Sequence, residues 1–349
     1  MHADENRRSK LNRAHKIAWA GVLLLALFAC SRLSLRSLEA LAPWLLAAAC
    51  AMLVLVVVTG HMSNGATRWL RLGFMSLQPT DLGRLAAVVF LAWWLKRRPI
   101  AELGFWRGMG PPLALLGFVA ALILKQPNLS SAGLLLMTGF LMLFLAGAPL
   151  KFLGAPIAAG AAIVAIALAT HSYMMTRVDT FLGFIMGGQL DHRGSGWQLD
   201  QSLIAIGSGG ILGRGLGGGL QKLLYLPEAH TDFIFSILAE ELGLIGVTLL
   251  FVLLGLFLWR GMRAAARASE PFACLLAGGL TVQIGLYAIA NLAVATGLAP
   301  TTGLPLPFVS YGGSALLVNL AAAGLLYRVS AMNGDEDALV RQRWSRAGA

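Results

Sequence analysis

Apolar runs of about 20 residues follow one another along most of this chain, and polar segments separate them. Each run is long enough, or nearly so, to cross the hydrocarbon core of a bilayer as an α-helix. Hydrophobic residues make up 57% of the 349 positions and charged residues 12%, a balance outside the range of soluble globular domains. A membrane β-barrel would instead show short segments of alternating polarity. The sequence therefore predicts an all-α fold, a polytopic bundle of transmembrane helices.

The apolar runs predict nine spans and one large loop. The longest polar connection, residues 173–232, is predicted to be a large extracytoplasmic loop with small helices of its own, because long connections between tightly linked elements are usually functional. The whole chain, 1–349, is then a single membrane domain in which 330–349 forms a cytoplasmic tail. The predicted spans are 17–35, 38–60, 78–95, 111–124, 130–148, 152–172, 233–259, 272–296 and 309–329.

Basic residues are concentrated in alternate gaps between the spans, for example at Arg97 and Arg260, and at both ends of the chain. By the positive-inside rule these gaps face the cytoplasm. The loops 61–77, 173–232 and 297–308 then face outward, and the C-terminus is cytoplasmic. The same distribution accounts for the net charge of +11 without a nucleic-acid partner.

The segment "YLPEAHTDF", residues 225–233, places a polar cluster directly before the seventh span. Asp232 or Thr231 could simply cap the helix that follows, since their side-chain oxygens accept amide protons of a first helical turn. Capping does not explain why Glu228, His230 and Lys222 gather at the same membrane edge. A carboxylate beside a low-dielectric boundary can hold a raised pKa and act as a general base. Asp232 is therefore the candidate catalytic residue.

Several other polar residues are expected at the outward face. Lys222 and Arg68 could hold phosphates electrostatically, which suits a lipid-linked substrate with an anionic head. The candidate substrate-binding residues are Lys222, Arg68, Glu228, His230, Thr231, Gln78, Ser310 and Tyr311.

Charged and glycine-rich segments within or beside the spans carry further expectations. Asp81 and Arg84 lie three apart on one helix face, which predicts an intramembrane ion pair. Glu240 and Glu241 lie about two turns into the seventh span, where acids require a partner or a polar cavity. The glycine-rich stretch 204–219 is either a flexible linker or a segment whose backbone approaches a ligand closely.

Long motifs in a fixed order give a resemblance to a known family. They are "GATRW" (65–69), "QPTDLGRL" (78–85), "LMLFLAGAP" (141–149), "QSLIAIGSGGILGRGLGGG" (201–219), "QKLLYLPEAHTDFIFSILAEELGLIG" (221–246) and "GLPLPFVSYGGS" (303–314). The chain resembles the SEDS family, the shape, elongation, division and sporulation proteins, from about residue 17 to 330. The residues before "YLPEAHTDF" are more similar to the division member than to the elongation member.

The resemblance implies an enzyme of the bacterial cytoplasmic membrane, a peptidoglycan glycosyltransferase that acts in cell division or elongation. Its substrate would be lipid II, and its partners a class B penicillin-binding protein and other divisome or elongasome membrane proteins. The essential aspartate of the family's "HTDF" motif falls on Asp232. The resemblance leaves room for a divalent cation, Mg²⁺ or Mn²⁺, but the sequence contains no ligand cluster that identifies one. A lipid II flippase and a non-catalytic scaffold that activates the penicillin-binding protein remain the alternatives.

The chain departs from the family's pattern in three ways. The family usually has ten spans, whereas nine are predicted here, and the first of the nine resembles the family's second helix. The family's first helix is therefore expected to be absent. The basic N-terminal stretch fits this expectation, because nine spans would place it outside, whereas in the family it would ordinarily follow an earlier helix. Asn128 stands where the family commonly has Asp. Asp81 and Arg84 replace the usual Glu and Lys with the charge signs kept.

Overall fold

A computed structural model describes residues 19–59, 61–63, 66–72, 75–97, 104–170, 172–187, 194–223 and 225–347. Three short strands are β1 His61–Ser63, β2 Ala66–Leu72 and β3 Met75–Leu77. The helices are α1 Trp19–Arg32, α2 Leu35–Thr59, α3 Pro79–Lys96, α4 Gly110–Leu124, α5 Leu129–Leu145, α6 Leu150–Thr170, α7 Ser172–Ile185, α8 Gly194–Gly209, α9 Ile234–Arg267, α10 Pro271–Ala295 and α11 Gly313–Ala347. A π-helical turn, Phe105–Met109, leads into α4.

Each of the nine predicted spans coincides with a helix, and the predicted membrane-helical fold is confirmed. The expected small helices of the loop 173–232 are α7 and α8. Five helices of the described residues are long and apolar enough to cross a membrane: Leu35–Thr59, Phe105–Leu124, Ile234–Arg267, Pro271–Ala295 and Gly313–Asn333. Large hydrophobic side chains lie exposed on these helices, Trp44 and Val58 among them, which is what a lipid-facing surface requires.

Local sequence signals explain several helix starts. Proline occupies the first turn of α3 and of α10, where the missing amide proton costs nothing. Asn128 caps α5 because its side chain accepts a hydrogen bond from the amide of Ser131 at 3.3 Å. The asparagine thus keeps the capping role that an aspartate could fill at this position.

Helix α10 is the central helix of the bundle. In its most apolar stretch 78% of the residues are buried inside the protein. The helix packs against α3, α5, α9 and α11. Small residues allow these close contacts: a Cβ added to Gly279 would lie 2.7 Å from Sδ of Met142. Helices α3, α9 and α11, whose ends carry polar loops, are therefore all packed against α10.

The structure adds three features to the predicted architecture. The loop 61–77 contains an antiparallel sheet of order β1–β2–β3, a small β element among described residues that are otherwise helices, turns and loops. Helix α9 runs eight residues past the predicted span 233–259, to Arg267. Residues 330–347, predicted as a tail, continue α11.

Helix α9 is kinked at Gly243, whose φ of 63° and ψ of −160° are not helical. This region of backbone conformation is open in practice only to glycine. A Cβ at Gly243 would also collide with the backbone of Ile211 and Gly213. The kink is therefore built into the sequence, and it lies on the helix that follows Asp232.

We expect the substitution Gly243→Ala to lower the free energy of unfolding by about 1–3 kcal/mol, because the added methyl group meets backbone atoms and the required φ becomes strained. The matched control is Gly255→Ala in the same helix, where nothing lies within 4 Å of the new Cβ. That change should be neutral or raise stability by up to about 1 kcal/mol. Thermal unfolding in detergent, followed by tryptophan fluorescence, measures both; equal shifts would contradict this role of the kink.

Candidate active site

The segment before α9 folds into a tight polar turn. The carbonyl of Glu228 accepts hydrogen bonds from the amides of Thr231, Asp232 and Phe233 at 3.2, 3.1 and 3.3 Å. The hydroxyl of Thr231 donates to the Glu228 carboxylate at 2.9 Å. Glu228 itself has a φ of 53°, a left-handed conformation that a non-glycine residue rarely adopts. Three of the predicted site residues, Glu228, Thr231 and Asp232, are thus brought together.

Apolar side chains of the same segment anchor the turn in the protein. Leu226, Ala229 and Phe233 are buried in a cluster that includes residues of α9 and α10. Glu228 and the predicted site residue His230 are exposed, whereas Thr231 and Asp232 are half-buried. The polar side chains are therefore presented from a fixed backbone, a requirement for a catalytic group.

The segment 301–312 forms the second wall of the site and contains two more predicted residues, Ser310 and Tyr311. The Ser310 hydroxyl accepts a hydrogen bond from the amide of Leu306 at 2.8 Å and donates to the carbonyl of Thr231. The amide of Tyr311 donates to the carbonyl of His230 at 2.9 Å. Ser310 and Tyr311 are thus joined to the turn through backbone atoms.

Asn291, on α10, ties the two walls together. Its side-chain amide donates to the carbonyl of Asp232 and to the carbonyl of Leu304, both at 2.7 Å. The residue is 1% exposed. Asn291 is not among the residues predicted for the site, although a carboxamide inside an apolar helix is a signal of function, since polar groups are costly there unless they have a partner.

The Asp232 carboxylate faces a position without a side chain. A Cβ added to Gly303 would lie 3.5 Å from Oδ2 of Asp232. A shallow, open cavity of about 260 Å³ lies beside the same turn and is lined by His230, Ile234, Val309 and Tyr311. Asp232 thus lies close to Gly303 and, along the chain, between His230 and Ile234, two of the residues that line the cavity.

Lys222 is engaged with an acid of α9 rather than with Asp232. Its ammonium lies 2.5 Å from Oε1 of Glu241. Glu240 also finds partners, because its carboxylate accepts from the amides of Leu220 and Gln221. The expectation that acids at this depth need partners is met. An ammonium has three donors, of which the bond to Glu241 uses one.

The remaining predicted residues lie around the sheet and the start of α3. Gln78 is the half-buried residue before α3, and its carbonyl accepts from the amide of Asp81 at 3.0 Å. Arg68 belongs to β2, and its side chain lies outside the described structure. β3 packs against α11, which begins two residues after Tyr311.

The predicted ion pair of Asp81 and Arg84 is present inside the bundle. Nη2 of Arg84 lies 3.6 Å from Oδ1 of Asp81 and 3.3 Å from the side-chain oxygen of Asn319. The hydroxyl of Ser314 donates to Asp81 at 2.7 Å, and the Arg84 guanidinium lies over the ring of Tyr287. The pair therefore links α3 to the start of α11, next to the second wall of the site.

Fold and site together define a multi-pass membrane protein with an acidic site beside its helix ends. A family model described as "Cell cycle protein", FTSW_RODA_SPOVE, matches residues 2–334. The chain belongs to the FtsW/RodA/SpoVE family, as its motifs predict.

Relatives and solved structures agree with this assignment. The chain is 44% identical over 318 residues to the probable peptidoglycan glycosyltransferase FtsW of Thioalkalivibrio sulfidiphilus, covering 89% of this chain and 78% of the relative. It is 43% identical to the protein of that name in Alkalilimnicola ehrlichii, covering 88% and 77%.

Two solved structures are similar along most of the chain. One belongs to a peptidoglycan synthase complex that coordinates polymerization and crosslinking; its TM-score is 0.76 at 33% identity, with 92% of this chain and 89% of that chain covered. The other is the rod shape determining protein RodA of Thermus thermophilus, with a TM-score of 0.66 at 33% identity and coverages of 91% and 86%.

We expect the substitution Asn291→Ala to loosen both walls of the site, because two buried carbonyls lose their donor, at about 1–3 kcal/mol for each group left unpaired. Hydrogen–deuterium exchange in peptides spanning 225–233 and 301–312 should rise together. The control is Asn333→Ala, which removes a hydrogen bond of similar length, 2.9 Å, to the carbonyl of Ala264 at another place in the bundle. Unchanged exchange in either peptide of the Asn291 variant would contradict the bridging role.

Proposed function

We propose that this protein is a peptidoglycan glycosyltransferase that polymerises lipid II, with Asp232 as the general base. The observation that carries the proposal is the half-exposed Asp232 carboxylate, whose backbone is fixed by Asn291 beside an open recess at the end of the spanning helices. The relatives named peptidoglycan glycosyltransferase support the reaction class.

In the proposed reaction Asp232 takes the proton of the 4-hydroxyl of the acceptor GlcNAc. The oxygen then forms a bond to the anomeric carbon of the donor as the bond to undecaprenyl pyrophosphate breaks. The pyrophosphate leaves with the bonding electrons, and the anomeric centre inverts. One carboxylate placed within reach of a hydroxyl suffices for this step.

The other predicted residues would hold the substrate. Lys222 and Arg68 hold the pyrophosphate in place, while Gln78 contacts the polar head from the start of α3. Glu228, His230, Thr231, Ser310 and Tyr311 shape the two walls beside Asp232.

The residues that the structure describes contain no group of three or more His, Cys, Asp or Glu side chains that could hold a metal ion. The Mg²⁺ or Mn²⁺ that the resemblance leaves room for is therefore given no step in the proposed reaction.

The orientation and the partner of the enzyme belong to the same proposal. The loop 173–232 and the site face the outside of the cytoplasmic membrane, and 330–349 faces the cytoplasm. The reason is that basic residues, which favour the cytoplasmic side, are concentrated at 96–107 and at 260–267, at the opposite ends of the spans from the loop and the site. The chain is one membrane domain. Similarity to a chain of a peptidoglycan synthase complex supports a crosslinking partner, a class B penicillin-binding protein, in division or elongation.

We expect Asp232→Asn to lower glycan-strand formation from purified lipid II by at least about 100-fold, because the amide cannot accept the proton. The protein should stay folded, since the Asn291 bond uses the Asp232 backbone carbonyl. The measurement is the glycan ladder on a gel. Asp179→Asn, at an exposed position of α7, is the control and should keep full activity.

The same reaction separates the alternatives. An Asp232→Asn variant that retains polymerisation would refute the general-base assignment. Translocation of lipid II without polymer by the unaltered protein would favour a flippase. Binding of the penicillin-binding protein without either activity would favour a scaffold.

A further inference from the structure

The kink at Gly243 divides α9 into a half-helix, residues 234–242, which begins beside Asp232, and a long apolar segment, residues 244–267. In an unbroken α-helix the amides of residues 244 and 245 would donate to the carbonyls four residues earlier. The kink removes these bonds. Unpaired backbone groups are costly near hydrocarbon, so another part of the chain must replace them.

The glycine-rich loop, defined here as residues 210–223, supplies the missing acceptors. The amide of Leu244 donates to the carbonyl of Gly210 at 2.9 Å, and the amide of Ile245 donates to the carbonyl of Ile211 at 3.3 Å. The backbone of the loop therefore takes the place of the helical turn that the kink interrupts.

The same loop supplies the missing donors. The carbonyl of Glu240 accepts from the amide of Arg214, and the carbonyl of Glu241 accepts from the amide of Gly215, both at 3.0 Å. Four backbone hydrogen bonds thus join the glycine-rich loop to both sides of the kink. The direction of the half-helix depends on where this loop lies.

The Glu240 carboxylate holds the far end of the loop. Oε1 accepts from the amide of Leu220 at 2.9 Å, and Oε2 accepts from the amide of Gln221 at 3.2 Å. The guanidinium of Arg214 lies 3.9 Å from Oε1. Glu240 is 1% exposed, so these groups, rather than water, stabilise its charge.

The Glu241 carboxylate holds the middle of the loop. Oε2 accepts from the amide of Gly217 at 3.1 Å, and Oε1 accepts from the ammonium of Lys222. Two loop cations, Arg214 and Lys222, therefore face two carboxylates of the half-helix, and the charges of this group cancel.

Glycines let the loop approach the helix backbone. A Cβ at Gly209 would collide with the carbonyl of Ala239, and one at Gly213 would collide with the carbonyl of Glu241. Gly213 also has a φ of 75°. Both positions therefore require glycine because of close contact within the protein. This contact argues against a flexible linker. It also argues against a backbone that approaches a ligand, because many loop amides already have acceptors within the protein.

We propose that Glu240 and Glu241 are positioning residues for the reaction: they fix the glycine-rich loop against the kink, and the loop fixes the direction of the half-helix that directly follows the turn with Asp232. This inference rests on the proposed function. A rotation of about 4° at Gly243 would move a group about 15 Å away by about 1 Å. A displacement of that size can cost about 100-fold in rate.

The test is the variant Glu240→Gln, assayed with lipid II and by hydrogen–deuterium exchange. Glutamine has the size of glutamate but only one side-chain oxygen. Its NH₂ group is a donor, so one of the two amides, that of Leu220 or that of Gln221, loses its acceptor. We expect kcat to fall by about 10- to 100-fold with KM changed less than about threefold, because the base moves while Glu241 still holds Lys222, the phosphate-binding residue of the loop. Exchange in peptides spanning 209–223 and 242–247 should rise.

Two further variants complete the test. Glu241→Gln keeps an acceptor for the amide of Gly217 but removes the carboxylate that pairs with Lys222. Its kcat should fall and its exchange in 209–223 should rise, both by less than in Glu240→Gln. Glu270→Gln, just before α10 at the opposite end of α9, is the control and should change neither kcat nor exchange.

The outcomes separate this inference from the proposed function. If Glu240→Gln leaves kcat and exchange unaltered, the inference is wrong. If it lowers only the unfolding temperature while the folded protein keeps its kcat, Glu240 is structural and positions nothing. If Asp232→Asn stays active, the proposed base is wrong; a rise in exchange in Glu240→Gln would then still support the link between loop and kink.

Discussion

A backbone amide or carbonyl near hydrocarbon must have a hydrogen-bond partner, and this constraint organises the acidic end of the protein. Helix α9 breaks at Gly243, and the broken bonds are restored by a loop that arrives from α8. The loop can lie there because glycine backbone contacts helix backbone without an intervening side chain. The polar turn that carries Asp232 therefore depends on contacts formed two to three helical turns farther along α9.

The two walls of the candidate site are joined through main-chain carbonyls of the turn 230–232, which accept hydrogen bonds from two side chains and one backbone amide. Ser310, Tyr311 and Asn291 contact carbonyls of the turn 230–232, so these contacts do not use the polar side chains of that turn. Such an arrangement separates the groups that hold the site from the groups that would react. It suits an enzyme whose substrate brings a large apolar tail and a charged head to the same place.

Much of this architecture could be predicted from the sequence, because apolar runs of sufficient length leave little choice of fold. The membrane-helical fold and the family are confirmed, a helix lies at each of the nine predicted spans, and the Asp81–Arg84 pair followed from a spacing of three on a helix. The sheet 61–77 was missed, since its short strands carry no strong alternation. The partners of Glu240 and Glu241 could not be predicted, because loop amides that meet a helix from another part of the chain leave no local pattern. The roles of Asp232 and its neighbours stay predictions.

The burial of α10 has a consequence for how the chain enters the bilayer. This helix carries Gln283, which donates to the carbonyl of Arg84, and Asn291, which donates to Asp232 and to Leu304. Two of these three acceptors precede α10 in the sequence, so they have already been synthesised when α10 leaves the translocon. Insertion from the N-terminus thus supplies partners for the polar groups of α10 almost as soon as it meets lipid, and only the segment leading to α11 remains to close the bundle.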